Sequence, residues 1–289
     1  MKLALGTAQI GLDYGISNQR GQVSRAEAVE ILKLARASSV TMLDTAVSYG
    51  DSEARLGDIS ASRGMDVVSK LPAIPDDVAD IAGWMRDIVR GSLGRLRVTR
   101  LYGLLLHRSH ALRGARAKEV GAALTGLMDA GLVLKTGVSI YVPAELDEIG
   151  GDAAVRLVQA PLNFFDDRLI QSGWLSRLKQ KGIEVHARSI FLQGVLLFTP
   201  QNRPERFERW AEHFARYDGW MKTHDRSRLE VCVGYAMSVP EIDRIVVGVE
   251  SAEQLTGIVA AAKLAPRPVP AALSATDPDL LDPLVWMRR

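Results

Sequence analysis

Eight short apolar runs, separated by amphipathic helical patterns in a chain of 289 residues, predict an α/β protein folded as one closed (β/α)8 TIM barrel. The number of runs favours a closed barrel over an open doubly wound sheet, and the length agrees, since such barrels take roughly 250 residues. Several runs are continuously apolar rather than alternating, as expected of parallel strands covered on both faces.

The runs are LAL at 3–5, VTML at 40–43, DVVSKL at 66–71 and LYGLLLH at 101–107. LKTGVSIY at 134–141, VRLVQA at 155–160, IEVHARSI at 183–190 and DRIVVGV at 243–249 complete the set. After the first run, Ser24 and Glu27 have capping-box spacing, and Ala28, Ile31, Leu32 and Ala35 form the apolar stripe of a helix. Residues 77–93 repeat the pattern with Val78, Ile81, Trp84, Met85, Ile88 and Val89. Residues 116–130 do so with Val120, Leu124, Leu127 and Met128, and Gly131 supplies a C-terminal stop. Further helices are expected over 168–181, ending at Gly182, and over 205–220, 227–238 and 252–264. No linker, repeat or low-complexity tract divides the chain, so residues 1–289 read as one domain, with a proline- and alanine-rich tail at 266–289 wrapping the outside. Residues 198–224 make a long crossover. Its aromatic residues Phe207, Trp210, Phe214 and Tyr217 read as core, and Phe198 to Arg203 are a candidate wall of a substrate pocket.

Composition excludes several function classes. Apolar residues make up 47% and charged residues 24%, and 36 basic against 34 acidic side chains leave a net charge of +2, so nothing favours nucleic acid or an anionic membrane as a partner. The single cysteine, Cys232, sits on an apolar helical face and reads as a core thiol in a reducing compartment. With no signal peptide and no run of roughly 20 apolar residues, the expected location is the cytoplasm. His110, His186, His213 and His224 lack the spacing of a helical zinc site, and His186 is expected to point away from Arg188, so no metal is predicted.

In a barrel of this kind the pocket forms where the strands end. Asp44 ends the second strand, Tyr49 lies in the loop after it, Lys70 is near the end of the third and His107 closes the fourth. Taken singly, each has an ordinary structural reading as a cap, a packed loop residue or a solvated strand end. Together they suit hydride transfer to a carbonyl. A developing alkoxide needs a proton donor, an ammonium beside a phenol favours the phenolate, and a carboxylate holds that ammonium in a buried place. A neutral imidazole can orient the carbonyl oxygen.

The segment LDTAVSYGDSEARLG, with these four residues at their spacings, resembles the aldo-keto reductase family, and the likeness runs from Leu3 to about Ile258. It implies Asp44, Tyr49, Lys70 and His107 as the catalytic tetrad and a nicotinamide cofactor, with Asp44 also among the cofactor contacts. The opening LALGTAQIGLDYG is similar to a branch with sugar-active members, which implies Gly6, Thr7 and Ala8 near the nicotinamide. KTGVSIY and VQAPLNFF likewise imply Ser139 and Gln159 as carboxamide partners, with Asn163 a weaker one; Ile140 replaces an asparagine usual in the family. Arg188 stands where an aromatic ring commonly stacks on the nicotinamide, and Ser189, Phe191, Gln193 and Gly194 would line the pyrophosphate. After the last strand, Gly248 and Gln254 replace basic residues of the NADP-selective members. Nearby Glu250 could bond a ribose diol. Both NADPH and NADH stay open, with NADPH favoured.

The expectation is therefore an NAD(P)H-dependent reductase of an aldehyde or ketone, a sugar-derived carbonyl among the candidates. An NAD-linked sugar dehydrogenase running in reverse, a Schiff-base aldolase using Lys70 and a non-catalytic cofactor-binding subunit remain as alternatives.

Overall fold

The computed structural model describes residues 1–289 except 17, 19, 150–153, 267 and 287–289. Eight parallel strands close into one barrel: β1 Leu3–Gly6, β2 Met42–Asp44, β3 Asp66–Leu71, β4 Leu101–Leu106, β5 Val133–Ser139, β6 Leu157–Pro161, β7 Glu184–Arg188 and β8 Arg244–Gly248. Each pairs with its neighbour in sequence, and β8 returns to β1 with Leu3 opposite Ile245. The expected (β/α)8 TIM barrel is what the chain forms.

Side chains alternate across a strand, so residues two apart share a face. Ala4, Met42, Val68, Leu105 and Leu157 pack together as the inner core of the barrel, with Val246 against them. Two residues further along the same strands stand Gly6, Asp44, Lys70, His107, Gln159 and Gly248. The register of the inner core thus points these groups into the lumen at the C-terminal mouth. At β5 the strands approach so closely that a Cβ on Gly137 would lie 1.7 Å from the Leu157 carbonyl oxygen, so only glycine fits.

The opposite end of the lumen is ionic. Glu184 accepts hydrogen bonds from His186 Nε2 (2.7 Å), from Tyr102 Oη (2.7 Å) and from Lys135 Nζ. Burial would raise this carboxyl, but those three donors outweigh it and hold it down at about 2. The Glu184 bond places His186 inside the barrel, on the same face as Arg188. That reverses the expectation that the two point apart, which ignored the two-residue period of the strand.

Outside the barrel the helix Arg25–Ala37 starts at Ser24, whose hydroxyl accepts the Glu27 amide (3.2 Å). Glu27 does not return the bond; its carboxylate accepts the amide of Ala252, the first residue of the helix Ala252–Ala261. The expected helix over 77–93 runs Ile81–Leu96, because Asp80 caps it by accepting the Gly83 amide at 2.8 Å. The expected helix over 168–181 is two, Arg168–Gln171 and Trp174–Gln180, since Gly173 between them is left-handed (φ 74°). Over 205–220 the chain makes a 3₁₀ segment, Glu205–Trp210, before the α-helix Ala211–Lys222.

Phe207, Trp210, Phe214 and Tyr217 are all buried, in a second apolar cluster with Phe164 and Phe165 from the loop after β6. From the C-terminal segment Leu273, Leu280, Leu281 and Trp286 join this cluster, and the Ala275 amide donates to the Phe165 carbonyl at 2.8 Å. Cys232 is buried in the helix Arg228–Ser238, and burial pushes its thiol well above the usual range.

Candidate active site

The floor of the lumen mouth is a buried ion pair. Lys70 Nζ donates to Asp44 Oδ1 at 2.5 Å and to the Thr45 carbonyl at 2.9 Å, and both side chains of the pair are almost wholly out of solvent. Gln159 Nε2 donates to Asp44 Oδ2 at 2.7 Å, which completes the carboxylate's partners. Burial alone would lower the Lys70 ammonium. The Asp44 charge first, and then Tyr49, overcome this and raise it, so Lys70 stays charged.

Tyr49 stands over this pair, its ring centre 5.1 Å from Lys70 Nζ and edge-on to the His107 ring at 5.8 Å. Its loop is set by contact with glycines: a Cβ on Gly11 would lie 1.9 Å from the Tyr49 carbonyl oxygen, and Gly50 is left-handed (φ 54°). The following helix, Ser52–Asp58, is too short to show an amphipathic period and had no counterpart in the sequence reading. Ser52 from its first turn donates to the Thr7 carbonyl at 3.0 Å, tying the β2 loop to the β1 exit.

His107 Nδ1 is 3.0 Å from Ser48 Oγ. Its imidazole is lowered to about 4 by burial first, then by the charges of Lys70, Arg188 and Arg108. It is therefore neutral at pH 7. In the tautomer where Ser48 donates to Nδ1, the ring's own proton sits on Nε2, where it can be offered to an oxygen.

These four groups line one cavity of about 950 Å³, at the upper end of the roughly 300–1,000 Å³ usual for small-molecule sites. Gly6, Thr7 and Ala8 line it at the β1 exit, Ser139 and Gln159 on β5 and β6, and Gly248, Glu250 and Gln254 after β8. Arg188, Ser189, Phe191, Gln193 and Gly194 form the wall after β7. There the backbone is unusual: Ser189, Leu192 and Gln193 have positive φ (58°, 46° and 57°) without being glycine. Asn163 is part of the support and does not face the cavity. Its Nδ2 donates to the Ser189 carbonyl at 3.0 Å, and its Oδ1 accepts the amides of Phe165 and Asp166.

Arg188 does not extend into the lumen as a free plane. Its guanidinium lies 4.5 Å from the centre of the Tyr141 ring and donates to the Ile140 carbonyl (2.9 Å) and Ser189 Oγ (3.1 Å). Thr199 is the residue of the 198–203 segment that meets the cavity, while Arg203 turns away to pair with Asp218 at 2.9 Å. Tyr14, Ser48, Arg108, Tyr141, Ser227 and Arg228 also line the cavity. None of these was singled out from the sequence, although Tyr14 lies within the first-loop segment and Arg108 directly follows His107. Among the described residues no group of three His, Cys, Asp or Glu side chains is placed to hold a metal ion, and no helix is long and apolar enough to cross a membrane.

Residues 2–268 match the model of the Aldo/keto reductase family, nearly the whole chain. The chain belongs to that family. Its fold is shared with solved structures of other members. One is the aldo-keto reductase AKR11C1 from Bacillus halodurans in its holo form, at 18% identity and TM-score 0.73, with 92% of this chain and 88% of that one covered. Another is the glycerol dehydrogenase AKR11B4 from Gluconobacter oxydans, at 21% identity and TM-score 0.67 over 91% and 87%. No curated protein matches. Family membership supports an oxidoreductase of carbonyl and alcohol groups, and aldo-keto reductases use nicotinamide cofactors.

Proposed function

We propose that this aldo-keto reductase reduces an aldehyde or ketone to the alcohol with NADPH or NADH, and that Tyr49 is the general acid. The observation that carries the reading is the buried Lys70–Asp44 pair beneath the Tyr49 ring, in reach of a neutral His107. A fixed ammonium under a phenol eases release of its proton to a forming alkoxide. Tyr14 also faces the cavity, but it lacks such a partner. Its hydroxyl accepts the Gln193 amide at 3.0 Å, and burial pushes it up, away from working pH. Tyr141 is the third phenol of the cavity and is stacked on by Arg108 and Arg188, so Tyr49 is distinguished by standing over the buried Lys70–Asp44 pair beside His107.

The residues present fit a dinucleotide. Because Gln159 Nε2 is taken by a carboxylate that can only accept, its Oε1 is the atom left to receive a carboxamide, with Ser139 beside it on β5. The left-handed turn Ser189–Gly194 bends the chain so that backbone amides can face an anionic group. Ser227 and Arg228, at the start of the helix Arg228–Ser238, line the same wall, with the Arg228 guanidinium paired to Asp218 at 2.7 Å. The bound cofactor supplies the hydride. The chain orients the carbonyl through His107 Nε2, gives the proton from Tyr49 Oη, and recharges that phenol from solvent through the open mouth.

NADPH is kept as the favoured cofactor. Against it stands Glu250, whose carboxyl burial raises and whose amide donates to Gln254 Oε1 at 2.7 Å; Arg20 lies near enough to oppose the rise. Fluorescence titration with NADPH and NADH decides between them. The acid assignment is tested by Tyr49→Phe, which should bind cofactor like wild type while kcat falls about 10²- to 10⁴-fold. Near-normal turnover in that variant removes Tyr49 from the role.

The same machinery run backwards would oxidise a sugar or polyol, a reading in keeping with the glycerol dehydrogenase among the similar folds. Rates with an aldehyde and NADPH against glycerol and NAD at matched pH separate the two directions.

A further inference from the structure

Beyond His107 the cavity wall carries two guanidiniums that meet no carboxylate among the described residues. Arg108 Cζ and Arg188 Cζ each lie 4.5 Å from the centre of the Tyr141 ring. Arg188 spends donors on the Ile140 carbonyl and Ser189 Oγ, whereas Arg108 is exposed and rests on the ring. A guanidinium laid flat on an aromatic face keeps its N–H edge free, in the planar fork that matches a carboxylate or phosphate.

The stack is built rather than incidental. Glu145 Oε1 accepts the amides of Tyr141 (2.6 Å) and Val142 (2.9 Å), and its Oε2 accepts the hydroxyl of Ser109, a buried residue next to Arg108. One carboxylate therefore latches the loop after β4 to the loop after β5, bringing Arg108 onto Tyr141. Its oxygens are used by these three donors and not by the guanidinium.

Position separates Arg108 from most residues assigned to the cofactor; Arg188, which shares the Tyr141 ring with it, stands between the two. Apart from Asp44 on β2, the cofactor residues come from the exits of β1 and β5 to β8. Arg108 follows His107 at the exit of β4, on the side where the proton donor and the orienting imidazole stand. Arg108 is exposed, so water meets its charge until a substrate anion takes that place.

We propose that Arg108, supported by Tyr141 and backed by Arg188, is a substrate anion subsite, and that this enzyme acts on carbonyl compounds carrying a carboxylate or phosphate. The proposal rests on the carbonyl-reduction reading. It is tested with matched pairs: 4-carboxybenzaldehyde against its methyl ester, and D-glyceraldehyde 3-phosphate against D-glyceraldehyde. The readout is the ratio of kcat/KM, anionic over neutral. Wild type should favour the anionic member of at least one pair by about tenfold or more, as expected for a charge-assisted contact. The pair that shows it tells carboxylate from phosphate. Arg108→Gln should bring the ratio to near one, acting through KM, and Arg108→Lys should restore part of it because charge returns without the fork. A wild-type ratio at or below one in both pairs, or a ratio that Arg108→Gln leaves unchanged, overturns the subsite.

If no aldehyde is turned over, the carbonyl reading fails, and calorimetry with benzoate and inorganic phosphate still judges the subsite. Binding lost in Arg108→Gln but present in wild type upholds it; equal binding, or none, to both proteins overturns it.

Discussion

Lys70→Met removes one half of the buried pair and leaves the Asp44 carboxylate, 3% exposed, with Gln159 as its remaining side-chain partner. Breaking a buried ion pair on one side costs about 3–5 kcal/mol, because the other charge stays desolvated and unpaired. Taking about 4 kcal/mol, and an unfolding entropy of about 2.1 cal/mol/K per residue over 289 residues, or about 0.6 kcal/mol/K, Tm should drop by about 7 °C. Asp44→Asn alone should cost a similar amount, since it strands the ammonium. The double variant Lys70→Met/Asp44→Asn removes both charges and keeps an acceptor for Gln159, so its Tm should return to within about 3 °C of wild type. The Thr45 carbonyl loses its donor in the single and the double alike, so that loss cancels in the cycle. Thermal unfolding by circular dichroism gives the four Tm values, and turnover should stay lost in all three variants. Additive effects of the two substitutions, with the double the least stable, would refute the claim that the pair's cost of burial is met by its internal attraction.

Two further perturbations test neighbouring parts of the site. His107 is held at about 4 against an unfolded value near 6.5, so as pH falls the unfolded chain takes up the proton first and native stability is lost between about 6.5 and 4, by up to roughly 3 kcal/mol. NMR of the imidazole should show that low titration point moving upward in Arg108→Gln; a wild-type midpoint near 6.5 would contradict the burial and charges described. Gly11→Ala places a Cβ against the Tyr49 carbonyl oxygen and the Ser52 amide, both backbone, so the loop carrying Tyr49 has to shift. A loss of about 1–3 kcal/mol with at least about tenfold lower turnover is expected, and wild-type values for both would show that the loop position is not fixed there.

The fold and the floor of the site were legible because both follow from a period of two. Apolar residues that identify each strand also set which later residue faces the lumen, so Asp44, Lys70 and His107 could be placed at one mouth from strand ends alone, whereas Gln159 came from the family resemblance. The same rule, applied to His186 and Arg188, puts both inside, and the contrary expectation failed only where the period was not applied. Gly173 splits a helix through its left-handed backbone, which an apolar stripe does not encode. Glu27 had the spacing to cap its own helix yet caps the one after β8, since a carboxylate's choice between two amides depends on tertiary approach. Arg108 follows His107 and Tyr141 lies two residues after Ser139, but their stack depends on Glu145 bridging two loops, and no local pattern announces a bridge between segments 36 residues apart.

The site accordingly has two parts with different physical origins. The floor is set by strand register and a buried charge pair; moving Asp44, Lys70 or His107 by one residue would turn it out of the lumen, so it tolerates little change. The rim is made by loops whose contacts are polar, partly exposed and replaceable one at a time: Arg108 on Tyr141, Arg188 on Ile140, Thr199 from the crossover. On the proposed function, substitutions at the rim should therefore redirect which carbonyl compound enters while the proton transfer assigned to Tyr49 is left in place. This separation gives an aldo-keto reductase a route to a substrate of its own without rebuilding its chemistry. On the proposed anion subsite, the choice of substrate would rest with Arg108, Tyr141 and Glu145 rather than with the tetrad beneath them.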